Sequence, residues 1–124
     1  MFILFVALGG AVGAMIRAWL MEFFPRNPDG IPLTVMSINI VGSLLIGIVV
    51  GYLQTKIEHA SYMPHLKAFL MIGILGGFTT FSAFSLEALE LIIAGNIMKA
   101  CVYVTCSVFL SMLAVAIGYY SFSS

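Results

Sequence analysis

Charge is what this sequence has least of. Its 124 residues include five Lys or Arg and five Asp or Glu, which together make up 8% of the chain, and the formal net charge is zero. Soluble domains carry about a quarter of their residues as charged side chains, so this composition excludes a soluble domain. The absence of net charge also removes any electrostatic reason to expect a nucleic-acid partner. No pairing of a nucleophile with a base is visible in the sequence, so we predict that the chain is not an enzyme.

Hydrophobic residues make up 62% of the chain, and the mean hydropathy is +1.15. They fall into four long apolar segments, at residues 2–24, 33–53, 66–93 and 100–122. Each segment reaches the roughly 20 residues that a helix needs to cross the hydrocarbon core of a bilayer. The sequence therefore predicts an all-α membrane protein with four transmembrane helices, and residues 1–124 form a single transmembrane domain.

The third apolar segment contains residues that are unusual inside a membrane-spanning helix. Including its flanks at 65–95, it is too long for one straight crossing, and Gly76 and Gly77 weaken the helix near its middle. We predict that a first half ends around these glycines and that a second half begins around Thr79 to Phe81, where a Thr hydroxyl can cap a new helix. The carbonyl end of the first half favours a cation, and the amide end of the second favours an anion. Because broken helices in membranes occur only where protein or water surrounds them, the break predicts a functional site.

The second half of this segment presents two kinds of side chain. Phe81 and Phe84 are three residues apart, and so are Ser82 and Ser85. This spacing predicts a helix with an aromatic edge beside a hydroxyl edge. Ring edges carry positive partial charge and can coordinate an anion, whereas packing in a core is the alternative role for paired phenylalanines.

Asn39 lies on a stripe of small residues in the second segment, followed by Ser43, Gly47 and Gly51 at intervals of four. Small residues at this interval allow two helices to pack closely. The stripe places the Asn39 amide against another helix or a cavity, which leaves two roles open: a hydrogen-bonding clamp between helices, or a direct contact with a transported ion.

The fourth segment has a hydroxyl stripe of its own, formed by Tyr103, Ser107 and Ser111. Such a stripe fits either hydrogen bonding between helices or a second polar wall of a permeation path. Arg17, in the first segment, continues a row of small residues, so we expect it to face protein or a water-filled vestibule; the alternative is an arginine that extends to the membrane interface. Glu87 marks a vestibule or pairs with a basic residue.

Basic residues give little preference for one orientation in the membrane. Lys56 and Lys67 would lie on one side, with Arg26 and Lys99 on the other and Arg17 inside the first helix. An imbalance this small does not fix the orientation by the positive-inside rule, so the chain can insert both ways. Four helices alone enclose little space, and an antiparallel homodimer would supply the missing walls.

Taken together, these motifs resemble the Fluc (CrcB) family of fluoride channels over essentially the whole chain. The most specific of them is the run Gly76-Gly77-Phe78-Thr79-Thr80-Phe81-Ser82-Ala83-Phe84-Ser85-x-Glu87. The others are Gly9, Gly10, Gly13 and Arg17 in the first segment, Asn39 and Gly42 in the second, and Ala94, Gly95 and Asn96 before the fourth.

The resemblance implies a passive, fluoride-selective channel in the cell inner (plasma) membrane that exports fluoride and relieves its toxicity. It implies a dual-topology antiparallel homodimer with two pores and one structural Na⁺ at the dimer axis. The implied site residues are Asn39, Phe81, Phe84, Ser82, Ser85 and Tyr103 along the fluoride pore, Arg17 and Glu87 near the vestibules, and the backbone carbonyls of Gly76 and Thr79 around the sodium ion.

The chain departs from this family pattern at Ala83 and Val115, where many relatives carry threonine, so its polar track is thinner. The alternative function is a small dual-topology exporter of four helices that couples transport to protons. The lack of a central membrane carboxylate argues against that alternative, since Glu22 lies at the end of the first helix.

Overall fold

The computed structural model describes residues 1–25, 30–56 and 62–122, and it is helical almost throughout. The helices are α1 (Phe2–Phe23), α2 (Leu33–Lys56), α3 (Met63–Lys67), α4 (Gly76–Phe78), α5 (Phe81–Ile93) and α6 (Ile97–Phe122), with a π-helical segment (Ala68–Leu75) joining α3 to α4. Arg26, part of the charge count above, lies outside the described residues.

Four stretches of the described chain are long and apolar enough to span a membrane: Phe2–Phe23, Leu33–Leu53, Pro64–Ile93 and Ile97–Phe122. They agree with the four predicted segments. Many large apolar side chains are exposed along these helices, as expected for surfaces that contact lipid. The chain is therefore a multi-pass membrane protein.

Local sequence explains where most helices begin and end. Pro25 follows the last residues of the first helix, and a residue before proline is biased away from helical geometry. At the other end of the third span, Gly95 has a φ of +87°, and Asn96 N–H donates to Leu91 O at 2.8 Å. Gly95 N–H donates to Ile92 O at 3.0 Å, which completes a Schellman turn before α6 begins.

The helices pack as two pairs. In the first pair, α2 packs against α6, and glycines lie where the two backbones are closest. A Cβ on Gly47 would lie only 3.0 Å from the Tyr119 nitrogen, and one on Gly118 only 2.9 Å from the Ile48 nitrogen. In the second pair, α1 packs against the π segment and α4. A Cβ on Gly9 would approach the Gly73 Cα to 2.9 Å, so these backbones are also in direct contact.

A small core joins α5, the second half of the third span, to the α2–α6 pair. Its buried members come from α2, α5 and α6: Val35, Met36, Phe84, Ala88, Leu91, Ala100 and Tyr103. This core fixes α5 against the α2–α6 pair while α1 holds the preceding half. The break between the two halves is therefore supported from both sides.

Candidate functional site

The third span breaks at Thr79 and Thr80, as predicted. Thr79 has φ −79° and ψ 157°, and Thr80 has φ −149° and ψ 119°, so both are extended. The Thr80 Oγ1 accepts a hydrogen bond from Ala83 N–H at 3.1 Å, which is the predicted hydroxyl cap of α5. The Thr79 hydroxyl instead donates to Leu75 O at 3.0 Å, at the end of the preceding helix. The two neighbouring threonines thus complete opposite ends of the break.

Asn39 bridges α2 to this break through both atoms of its side-chain amide. Its Nδ2 donates to Thr80 O at 3.0 Å, and its Oδ1 accepts from Thr80 N–H at 2.8 Å. A backbone N–H requires the amide oxygen and a backbone carbonyl requires the amide nitrogen, so these partners fix the orientation of the side chain. One N–H of Asn39 is left over from this pairing.

A cavity of about 430 Å³ opens beside the break, and we call it the break cavity. Asn39 is on its wall, so the predicted clamp between helices also borders a cavity, and its direct contact with a transported ion stays a prediction. The other lining residues are Gly42, Ser43, Ile46, Leu75, Gly76, Thr79, Thr80, Phe81, Phe84, Ser107, Val108, Ser111 and Met112. Polar groups from α2, the break and α6 therefore meet in an otherwise apolar cavity.

Ser107 was predicted as part of the hydroxyl stripe of α6 but was not assigned to the site. It is 4% exposed, it borders the break cavity, and its Oγ has no hydrogen-bond partner within residues 1–25, 30–56 and 62–122. Ser111 also borders the cavity and is half-buried. A buried hydroxyl with no protein partner is costly, so the structure makes Ser107 a candidate ligand-facing group, whereas the sequence showed only its place in the hydroxyl stripe.

The aromatic residues occupy two environments. Phe84 is buried in the core, with its ring centroid 5.2 Å from that of Tyr103, whereas Phe81 is 79% exposed with its centroid 5.7 Å from Phe84. Both phenylalanines border the break cavity, but Tyr103 is fully buried behind Phe84 and is not among the lining residues.

Ser82 and Ser85 lie on the exposed side of α5, outside the wall of the break cavity. The Ser82 Oγ is 3.3 Å from the Thr80 Oγ1, so this hydroxyl edge continues from the break along α5. In a single chain, these serines therefore extend the polar surface beyond the cavity along the exposed side of α5.

Arg17 and Glu87 lie away from the break cavity. Arg17 is half-buried on α1, and its buried Nε has no hydrogen-bond partner in the described part of the chain. Glu87 is 8% exposed and shares the buried face of α5 with Phe84, Ala88 and Leu91. Their vestibule roles remain predictions.

Gly76 and Thr79, the two residues predicted to offer carbonyl oxygens, both border the break cavity. They flank the C-terminal end of α4, where a helix leaves carbonyl groups without their usual donors. Oxygen ligands of this kind suit a hard cation such as Na⁺.

The family model described as CrcB-like protein, Camphor Resistance (CrcB), matches residues 4–119. The chain belongs to this family.

Relatives of this CrcB-like protein share its length and much of its sequence. A protein named Fluoride-specific ion channel FluC from Hyphomonas neptunium is 46% identical over 116 residues, covering 93% of this chain and 90% of the relative. A protein of the same name from Ruegeria sp. (strain TM1040) is 44% identical over 118 residues, covering 94% and 90%. Another from Francisella philomiragia is 38% identical over 119 residues, covering 95% and 92%. These findings confirm the family indicated by the sequence motifs.

Proposed function

We propose that this CrcB-like protein is a passive, fluoride-selective ion channel in the cell inner (plasma) membrane, where it exports fluoride and relieves its toxicity. The observation that carries the proposal is the break cavity, in which Asn39 is oriented by Thr80 and Ser107 presents a buried hydroxyl that has no partner among the residues the structure describes. The names of the relatives support fluoride as the ion. The family relationship is also to ion channels and not to enzymes.

Fluoride selectivity follows from what replaces water around the ion. Fluoride is small and holds its water tightly, so a selective path must supply several hydrogen-bond donors in a narrow space. The spare N–H of Asn39 and the hydroxyls of Ser107 and Ser111 are neutral donors at the cavity. Phe81 and Phe84 add ring edges, which attract an anion without a fixed charge that would hold it. Ser82, Ser85 and Tyr103 extend this proposed path along α5 and α6.

Ion efflux from proteoliposomes tests the proposal. Vesicles containing the purified chain and loaded with fluoride or chloride are diluted into ion-free buffer, and each anion is followed with a selective electrode. We expect fluoride efflux to exceed chloride efflux by at least about 100-fold, because each donor matched to fluoride contributes about 1 kcal/mol or more in a desolvated site.

The same vesicles separate the channel from the proton-coupled exporter. A passive channel moves fluoride down its own gradient, and a pH gradient imposed without a fluoride gradient drives no net fluoride transport through it. Chloride efflux equal to fluoride efflux would contradict selectivity. Fluoride accumulation driven by the pH gradient alone would favour the exporter.

We further propose that two copies assemble as an antiparallel homodimer. In one chain, Phe81 borders the break cavity and is 79% exposed, and Leu86 on the same half-helix is 58% exposed. Ser82 and Ser85 are exposed on the same half-helix, and transferring hydroxyl groups into lipid costs free energy. A second copy would cover this surface, and the weak charge bias permits it to insert in the opposite orientation.

Reporter fusions in cells test this arrangement. A C-terminal fluorescent protein that folds only in the cytoplasm and a C-terminal phosphatase that is active only outside the inner membrane are fused to separate copies of the chain. We expect both reporters to be active, because both orientations are populated. Activity of one reporter alone would contradict the antiparallel dimer, and a monomeric mass in detergent would contradict any dimer.

The dimer would also complete a cation site. Gly76 and Thr79 of one chain would provide two carbonyl oxygens, and a second copy related by a two-fold axis would provide the same two again. Bound Na⁺ would supply positive charge that holds the two helix breaks together, without taking part in moving fluoride. The carbonyls of Gly76 and Thr79 fit this role because both residues border the same cavity near the end of a helix, where carbonyl groups carry negative partial charge.

A further inference from the structure

Thr80 lies in the break with all of its polar groups paired. It is 7% exposed. Its N–H donates to the Asn39 Oδ1 at 2.8 Å, its carbonyl accepts from the Asn39 Nδ2 at 3.0 Å, and its Oγ1 accepts from Ala83 N–H at 3.1 Å. Thr80 thus connects α2, the break and the first turn of α5.

In two of these hydrogen bonds, the backbone N–H would have a different acceptor if the helix were continuous. In an α-helix each N–H donates to the carbonyl four residues earlier. The Thr80 N–H would then bond Gly76 O, and the Ala83 N–H would bond Thr79 O. Both donors instead go to the Asn39 amide and the Thr80 hydroxyl. The two carbonyls that lose their helical donors are the two that the proposed cation site requires.

We propose that Thr80 is the positioning residue of the cation site. It directs its own N–H to Asn39 and takes the Ala83 N–H with its hydroxyl, which leaves the carbonyl oxygens of Gly76 and Thr79 for the ion. Thr79 does not perform this task, because its own hydroxyl is bonded to Leu75 O at 3.0 Å. The inference rests on the proposed function, of which the cation site is one part.

Sodium-dependent thermal stability of the purified full-length chain tests the inference without measuring transport. Melting temperatures are compared in sodium chloride and in N-methyl-D-glucamine chloride at equal ionic strength. An ion that binds only the folded protein raises its melting temperature, and we expect a rise of about 5 °C for the wild-type chain. Thr80→Val keeps the shape of the side chain but removes the hydroxyl, so we expect less than half of this sodium-dependent rise.

Two matched variants separate the loss of this hydroxyl from a general loss of stability. Thr80→Ser retains the cap, and we expect it to keep the sodium-dependent rise. Thr34→Val removes another threonine hydroxyl, which donates to Phe24 O at 2.9 Å outside the break cavity. We expect it to keep the rise as well, whatever it does to the melting temperature itself.

A second pair of variants covers the case in which Thr80→Val does not fold. Thr80→Cys and Thr80→Ser differ in one atom, and sulfur is a weak acceptor, so the sodium-dependent rise should be smaller in the Cys variant. A full rise in Thr80→Val, or equal rises in the Cys and Ser variants, would overturn the role of Thr80. A wild-type chain without any sodium-dependent rise would overturn the cation site and this inference together. Failure of wild-type fluoride efflux would overturn the proposed fluoride path, which is a separate result.

Discussion

Asn39→Asp is expected to abolish fluoride transport, with efflux from proteoliposomes reduced by at least about 100-fold, because it removes the hydrogen bond to Thr80 O and leaves that acceptor unpaired, at a cost of roughly 1–3 kcal/mol. Aspartate has the shape of asparagine, but an oxygen replaces the Nδ2 that now donates to Thr80 O at 3.0 Å. Two acceptors would then face each other in the break. The substitution also removes the spare N–H and places a negative charge on the wall of the proposed anion path.

Two further variants show which loss matters. Asn39→Ala removes the clamp and the donor without adding charge, and we expect it to reduce efflux nearly as much. Ser37→Ala changes an exposed polar residue of the same helix that does not border the break cavity, and we expect wild-type efflux. Asn39→Ala with efflux within about twofold of wild type would contradict the role of the amide, since that factor is smaller than one lost hydrogen bond.

The break in the third span was predictable because its signals are local. Glycines weaken the helix before it, and a threonine hydroxyl caps the helix after it, and both effects act within a few residues. The structure moves the end of the first half only slightly, from the glycines at 76 and 77 to Phe78. The sequence left open which threonine acts as the cap, because this depends on the backbone angles at the break.

The partner of Asn39 was not predictable in the same way. Asn39 and Thr80 are 41 positions apart in the chain, so no spacing rule connects them. The stripe of small residues correctly indicated that the amide faces another helix or a cavity, and the geometry shows that it does both. Which atoms it bonds depends on how α2 and the third span pack, and this information is spread over the whole core.

The same limit applies to the hydroxyl stripe of α6. Tyr103, Ser107 and Ser111 were expected to act together, but Tyr103 is buried behind Phe84 while the two serines border the break cavity. Spacing placed them on one face of the helix. The position of the Phe84 ring decides where along that face the cavity ends, and the spacing of residues in the sequence does not predict how a ring packs.

The π-helical segment Ala68–Leu75 was not anticipated at all. Its sequence is uniformly apolar, and Gly73 is its one weak helix former, which disfavours an α-helix without specifying a π-helix. It lies where the third span packs on α1, with the Gly9 and Gly73 backbones in direct contact. π-helical turns are rare and often found at functional sites, and here the widened turns directly precede the break.

Gly13→Ala is expected to have the largest effect on stability, lowering the melting temperature by about 10 °C, because overpacking of this kind costs roughly 1–3 kcal/mol. A Cβ at position 13 would collide with the carbonyl oxygen of Ile74 and would lie 2.8 Å from the Phe78 nitrogen. These are backbone atoms in the two turns before the break, so no side-chain rotation can relieve the contact.

Gly10→Ala is the matched control, since a Cβ at position 10 would have nothing within 4 Å. The same methyl group added on the same helix should therefore leave the melting temperature unchanged or raise it, because alanine favours a helix over glycine by about 1 kcal/mol. Fluoride efflux should likewise fall in Gly13→Ala and stay at the wild-type level in Gly10→Ala. Moving α1 away from Ile74 and Phe78 displaces the end of the first half-helix and, with it, the break that Asn39 and Thr80 hold. Equal melting temperatures for the two variants would show that α1 does not press directly on the third span, and the break would then need another support.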